Sequence, residues 1–196
     1  MRNNSEAMRR AQDAFHDWKA SIALAALEEV LQVEGSPDDA AAYLLKGLIF
    51  EFGGEGVQVD LAKAVENYRA ASYLIGGLGL IPFLYLARAL MKQGVGSYPE
   101  AFKYIREASG VRHSPEVDLA FAEYYEVAES KPALAKKYYL RAAAKGRFAG
   151  FFGLASVLRK EGHKVQALMV DVVRIFLGPI LFILLGRAAR ANFNSY

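Results

Sequence analysis

The sequence contains no cysteine. Disulfide frameworks, thiolate zinc sites and cysteine nucleophiles are therefore excluded, and the chain suits a reducing compartment. Proline is scarce, six in 196 residues, and with abundant alanine and leucine this favours helices over strands. The three histidines, His16, His113 and His163, are dispersed, and none sits in a metal-binding spacing of the HExxH kind. Acid is nearly absent from the last third. Residues 131–196 hold 12 Lys and Arg against Glu161 and Asp171, a balance of +10, whereas residues 1–130 hold 12 against 19, a balance of −7. A block this basic beside apolar sequence points to an anionic surface, a membrane leaflet or an acidic partner. Nucleic acid is disfavoured because no binding motif accompanies the charge.

A secretory signal is also missing: charges in MRNNSEAMRRAQDAF fall where an apolar h-region would sit. The expectation is a cytoplasmic chain, peripheral to or C-terminally anchored at the inner face of a membrane. What the chain does have is apolar content, 54% hydrophobic against 23% charged, which excludes wholesale disorder and gives one ordinary domain enough core.

No catalytic constellation, cofactor site or metal site emerges. Glu28/Glu29 and Asp38/Asp39 read as solvated faces or helix starts rather than acid–base pairs. Gly53-Gly54-Glu55-Gly56 follows a helix, lacks the Gly-Lys-Ser/Thr ending and carries an acid, so it reads as a turn and not a phosphate loop. Trp18 and the tyrosines are expected to pack in the core. His113 is expected in an exposed turn.

Internal repetition is the strongest positive signal. Five helix pairs can be laid along the chain: residues 5–34, 42–76, 83–110, 117–146, and a less regular unit from Phe148 into KVQALMVDVVR. In the first pair, Ile22, Ala23, Ala26, Leu27 and Val30 share one face at helical spacing. Ser36 or Asp38 can accept the first free amides of the next helix. The alanines of the second helices, Ala64, Ala101, Ala135 and Ala167, lie 37, 34 and 32 residues apart. Gly47, Ala87, Ala122 and Ala155 allow close approach, while Tyr68, Tyr104 and Tyr139 fill the space between units.

Residues 47–71, GLIFEFGGEGVQVDLAKAVENYRAA, resemble a Sel-one-like repeat, a relative of the tetratricopeptide repeat. The matching positions are Gly47, Gly53, Gly54, Gly56, Val57, Asp60, Lys63, Ala64, Tyr68, Ala70 and Ala71. The third unit keeps Gly94, Gly96, Glu100, Ala101 and Ala108; the fourth keeps Tyr139, Ala142, Ala143 and Gly146 without the glycine-rich turn. The first unit resembles a plain tetratricopeptide repeat. The resemblance spans roughly residues 5–174 and weakens after 146. It implies an all-α, right-handed superhelix of about five pairs that scaffolds other proteins and does no chemistry. By analogy with the tetratricopeptide register, the partner-facing positions are Leu44, Leu48, Glu51, Phe52, Leu84, Arg88, Met91 and Lys92, then Glu123, Glu126, Phe152, Ser156 and Arg159. The chain's own C-terminal helix competes for some of them.

Two apolar stretches invite a membrane reading. Residues 70–87 are uncharged, yet the repeat register splits them into a helix end, a turn from Gly76 to Pro82, and a new helix from Phe83. The run Ile175–Gly186 is harder to place, because Ile175, Phe176, Leu177, Ile180, Leu181, Phe182, Ile183, Leu184 and Leu185 would make a helix apolar all round. Twelve residues span only about 18 Å, short of a bilayer core of roughly 30 Å. Three settings stay open: core or homodimer interface, membrane association, and a partner's groove. The expected organisation is a repeat array over 1–174 followed by an apolar helix and basic tail over 175–196. The favoured function is a non-enzymatic adaptor in a bacterial-type complex, docked at a membrane or membrane complex through that tail. The alternative is a soluble homo-oligomer whose C-terminal helix packs in the core or a neighbouring subunit.

Overall fold

Residues 2–32, 35–74 and 78–176 are described by a computed structural model, and among them the only regular secondary structure is helical. Contacts divide the chain into two compact units, residues 1–112 and 113–196.

The first unit contains α1 (Arg2–His16), α2 (Ala20–Leu31), α3 (Asp39–Phe52), α4 (Leu61–Tyr73), α5 (Ile81–Gln93) and α6 (Tyr98–Val111). Each helix packs on the next, and α1 also reaches α3. The packing faces are built from small residues: Ala23, Ala42, Ala64, Ala87, Ala101 and Ala108 are fully buried. Leu27, Ile49, Tyr68, Leu86 and Ile105 fill the remaining volume. A Cβ on Gly47 would overlap the Tyr68 ring, so α3 and α4 reach this separation only with glycine there.

Local chemistry sets the ends. The Asp60 carboxylate accepts the Lys63 amide at 3.0 Å and starts α4. This bond holds the Asp60 carboxyl below its ordinary range. Gly53 (φ 72°) stops α3 and leads into the glycine-rich turn. That turn is tied to the preceding pair: the Glu55 amide donates to the Trp18 carbonyl at 3.2 Å, and the Ser21 amide to the Glu55 carbonyl at 3.2 Å.

The second unit contains α7 (Pro115–Val127), α8 (Pro132–Ala144), α9 (Ala149–Lys160) and a helix over 164–176, here α10. The Ser114 hydroxyl accepts the Val117 amide at 3.3 Å and caps α7. Ala122, Ala135, Tyr139 and Val157 form one buried cluster. Ala155, Leu158 and Ala167 form another, which seats α10 on α9.

Several sequence expectations change in detail. Trp18 is 70% exposed, because it occupies a left-handed turn (φ 61°) between α1 and α2 that turns its side chain outward. Ile22 is exposed as well; the buried stripe of α2 is Ala20, Ala23, Ala26, Leu27 and Val30. Pro82 lies in the first turn of α5, where its missing amide costs nothing, so that helix starts at Ile81 and not Phe83. Ser36 Oγ accepts the Asp38 amide at 3.3 Å, while the Ser36 amide donates to Asp39 at 3.0 Å; the Asp38 side chain makes no cap bond. Residues 70–87 are divided between α4 and α5, with Ile75, Gly76 and Gly77 outside the described residues. Among the described residues no helix is long and apolar enough to cross a membrane.

Candidate functional site

In the first unit, the last turn of α3 brings Glu51 and Phe52 opposite the α5 side chains Arg88 and Lys92. Glu51 is buried, with a side chain wholly removed from solvent. It accepts the Tyr68 hydroxyl at 2.6 Å and Lys92 Nζ at 2.7 Å, and Arg88 Nε lies 3.6 Å away. Burial, followed by the bond to Glu51, pushes the Tyr68 hydroxyl above its ordinary range. Such a tyrosine stays neutral and serves as a donor.

Phe52, by contrast, is half exposed. Lys92 Nζ stands 5.2 Å from its ring centroid and Arg88 stacks 4.6 Å from the Tyr85 ring. Two half-exposed cations thus share one buried carboxylate beside an open aromatic ring. Leu44, Leu48, Leu84 and Met91 are half-buried on the same helices, and Leu48 packs on the core of the first unit.

In the second unit the same device recurs. Tyr139 in α8 donates to Glu126 at 2.6 Å, and Lys160 at the end of α9 donates to the other Glu126 oxygen at 2.6 Å. Burial and then Glu126 raise the Tyr139 hydroxyl. A Cβ on Gly153 would overlap the Tyr139 ring, as at Gly47 and Tyr68. Glu123 and Ser156 are half-buried. Phe152 and Arg159 are exposed but engaged by α10: the Arg174 guanidinium lies 3.9 Å over the Phe152 ring, and Arg159 pairs with Asp171.

Glu51, Arg88, Lys92, Glu126 and Arg159 are thus each partnered within their own unit. The chain's own α10, from the stretch the sequence analysis placed in the fifth repeat unit, contacts Phe152 and Arg159. Sequence reasoning missed the tyrosine–glutamate bonds. A signal was present, since Glu51, Lys92, Glu126 and Lys160 alternate in sign near the ends of successive first helices, 41, 34 and 34 residues apart.

Of the C-terminal apolar positions, Ile175 and Phe176, the last described residues, are exposed. Leu177, Ile180, Leu181, Phe182, Ile183, Leu184 and Leu185 lie outside the described residues. Among the described residues no group of three or more His, Asp or Glu side chains is placed to hold a metal ion.

No family model matches the sequence, and no curated protein matches it. Among solved structures, the crystal structure of a MamA protein is similar, with a TM-score of 0.62 at 13% identity over 86% of this chain and 88% of that one. That protein is tetratricopeptide-like and helical, so the likeness shows the fold: an all-helical solenoid of the tetratricopeptide-like class.

Proposed function

We propose that this chain is a non-enzymatic adaptor, a Sel-one-like repeat array over 1–174 that holds a protein partner along its first helices. Its basic, apolar tail over 175–196 docks it at a membrane or membrane complex. The observation that carries the partner half is the half-exposed Phe52 ring beside Arg88 and Lys92, with Glu51 neutralising only one of the two cations. A segment presenting an apolar side chain next to an acidic one complements that patch. Leu44, Leu48, Leu84 and Met91 extend its apolar floor, and Glu123, Glu126, Phe152, Ser156 and Arg159 are the corresponding positions in the second unit. The basic balance of residues 131–196 supports the membrane half.

Site-specific photocrosslinking tests the partner half. A crosslinker at Phe52 or Lys92 is expected to trap one discrete protein in cells, and the same group at the second-helix positions Arg106 or Lys137 is not. Equal yields from both sets contradict the reading. Adducts between two copies of the chain favour the rival homo-oligomer.

A further inference from the structure

Helix α10 is amphipathic in the wrong sense for a surface helix. The face packed on α9 carries Ala167 and Val170, and also both charges of the helix interior. Asp171 pairs with Arg159, and Arg174 lies 3.5 Å from Asp171 and over the Phe152 ring. The outward face holds Val165, Leu168, Met169, Val172, Ile175 and Phe176, each between 43% and 70% exposed. Their spacing of i, i+3, i+4, i+7, i+10 and i+11 makes one continuous stripe. Water is a poor solvent for such a surface, and patches of this kind mark contact sites.

We propose that α10 is a lipid-contact element that lies in the plane of an anionic leaflet, with this stripe in the boundary between headgroups and acyl chains. The inference rests on the reading that the C-terminal part docks at a membrane, and it moves the contact to a helix the sequence had assigned to the repeats. The described residues of α10 pack one face on α9 through Ala167, Asp171 and Arg174 and offer the opposite face to lipid, a geometry that suits a helix lying in the plane of the leaflet.

Charge selects lipid over a second copy of the chain. Residues 131–176 carry ten Lys and Arg against Glu161 and Asp171. Lys164 borders the stripe, and Asp171, the one carboxylate of the helix, is turned onto α9. Residues 113–176 carry ten Lys and Arg against seven Asp and Glu, so a two-fold contact through the stripe would bring two net positive units together. An anionic headgroup layer complements the same rim. Continuity in sequence argues the same way, because the last two residues of the stripe, Ile175 and Phe176, open the uncharged run Ile175–Gly186.

The test is cosedimentation of the full chain with phosphatidylcholine vesicles, with and without phosphatidylserine. The full chain is expected to pellet with the anionic vesicles, and Leu168→Glu with Met169→Glu to weaken binding about tenfold or more. Both substituted side chains face outward, and far-UV circular dichroism checks that the variant keeps its helices. A second readout needs no loss of function: Leu168→Trp in a Trp18→Phe background should shift to the blue on adding phosphatidylserine vesicles. Emission already blue-shifted without lipid means that another part of the chain or a second copy covers the stripe, which overturns the proposal. Undiminished binding by the Leu168/Met169 variant, with loss on Ile183→Glu and Leu184→Glu, overturns the proposal and leaves C-terminal docking standing. Failure of the full chain to bind vesicles while it still pellets with cell membranes overturns the lipid contact alone. Failure to pellet with either removes both readings.

Discussion

The Tyr68 hydroxyl donates to Glu51 at 2.6 Å inside the first unit, and Tyr139 donates to Glu126 at the same distance inside the second. In each case the tyrosine comes from the second helix of a pair and the glutamate from the first. A lysine from the next first helix, Lys92 or Lys160, holds the other carboxylate oxygen. The glutamate therefore links three successive helices. The close approach that lets the tyrosine reach it depends on a glycine, Gly47 or Gly153, against the ring.

Removing the Glu51 carboxylate should weaken the first unit more than removing the Glu126 carboxylate weakens the second. Glu51→Ala leaves a buried tyrosine hydroxyl without its acceptor and is expected to cost about 2–3 kcal/mol. Glu126→Ala should cost about 1–2 kcal/mol, because its carboxylate and Lys160 already meet solvent. Urea titrations followed by circular dichroism measure both. The opposite order would show that the bond does not link the helices in the way described.

Helix propensity alone says that Gly47→Ala stabilises α3 by about 1 kcal/mol. The Tyr68 ring reverses the sign, and overpacking is expected to give a net loss of about 1–3 kcal/mol. Gly110→Ala is the control, since Gly110 lies in α6 and a Cβ there meets nothing within 4 Å. That variant should be neutral or more stable.

Burial and the neighbouring carboxylates raise the Tyr68 and Tyr139 hydroxyls. A group raised in the folded state contributes stability that is complete below its unfolded pKa, about 10 for tyrosine, and is lost as pH climbs beyond it. Stability should therefore be insensitive to these groups up to about pH 9 and fall steeply above about pH 10. Tyr68→Phe with Tyr139→Phe should be less stable at neutral pH and show a shallower alkaline fall. Some slope will remain, because burial also raises Tyr104, Tyr124 and Tyr125. An unchanged slope in the double variant would contradict the assignment.

Ser114→Ala should destabilise the second unit by about 1 kcal/mol by freeing the Val117 amide at the start of α7. Ser114→Asp should restore most of that loss. Thermal melts followed at 222 nm distinguish the two.

The pairing of helices was legible because small residues recur where helices meet. Ala64, Ala101, Ala135 and Ala167, chosen by spacing alone, are all buried. The fate of Trp18 was not legible, because a left-handed turn reverses the direction of a side chain without leaving a mark in hydropathy. Glu51 illustrates a different limit. Register placed it on the partner-facing side of α3, but Tyr68 and Lys92, 17 and 41 residues away, remove it from solvent. Periodicity along one helix cannot carry that information. α10 is the reverse case: its residues read as part of the fifth repeat unit, and only packing on α9 shows that Asp171 and Arg174 turn inward and leave the apolar stripe outside.

The most direct measurement is fractionation of cells expressing the full chain beside its Leu168→Glu, Met169→Glu variant. The account predicts that the full chain sediments with membranes, persists through a high-salt wash through its apolar stripe, and that the variant stays in the supernatant. A full chain that remains in the supernatant would contradict membrane docking.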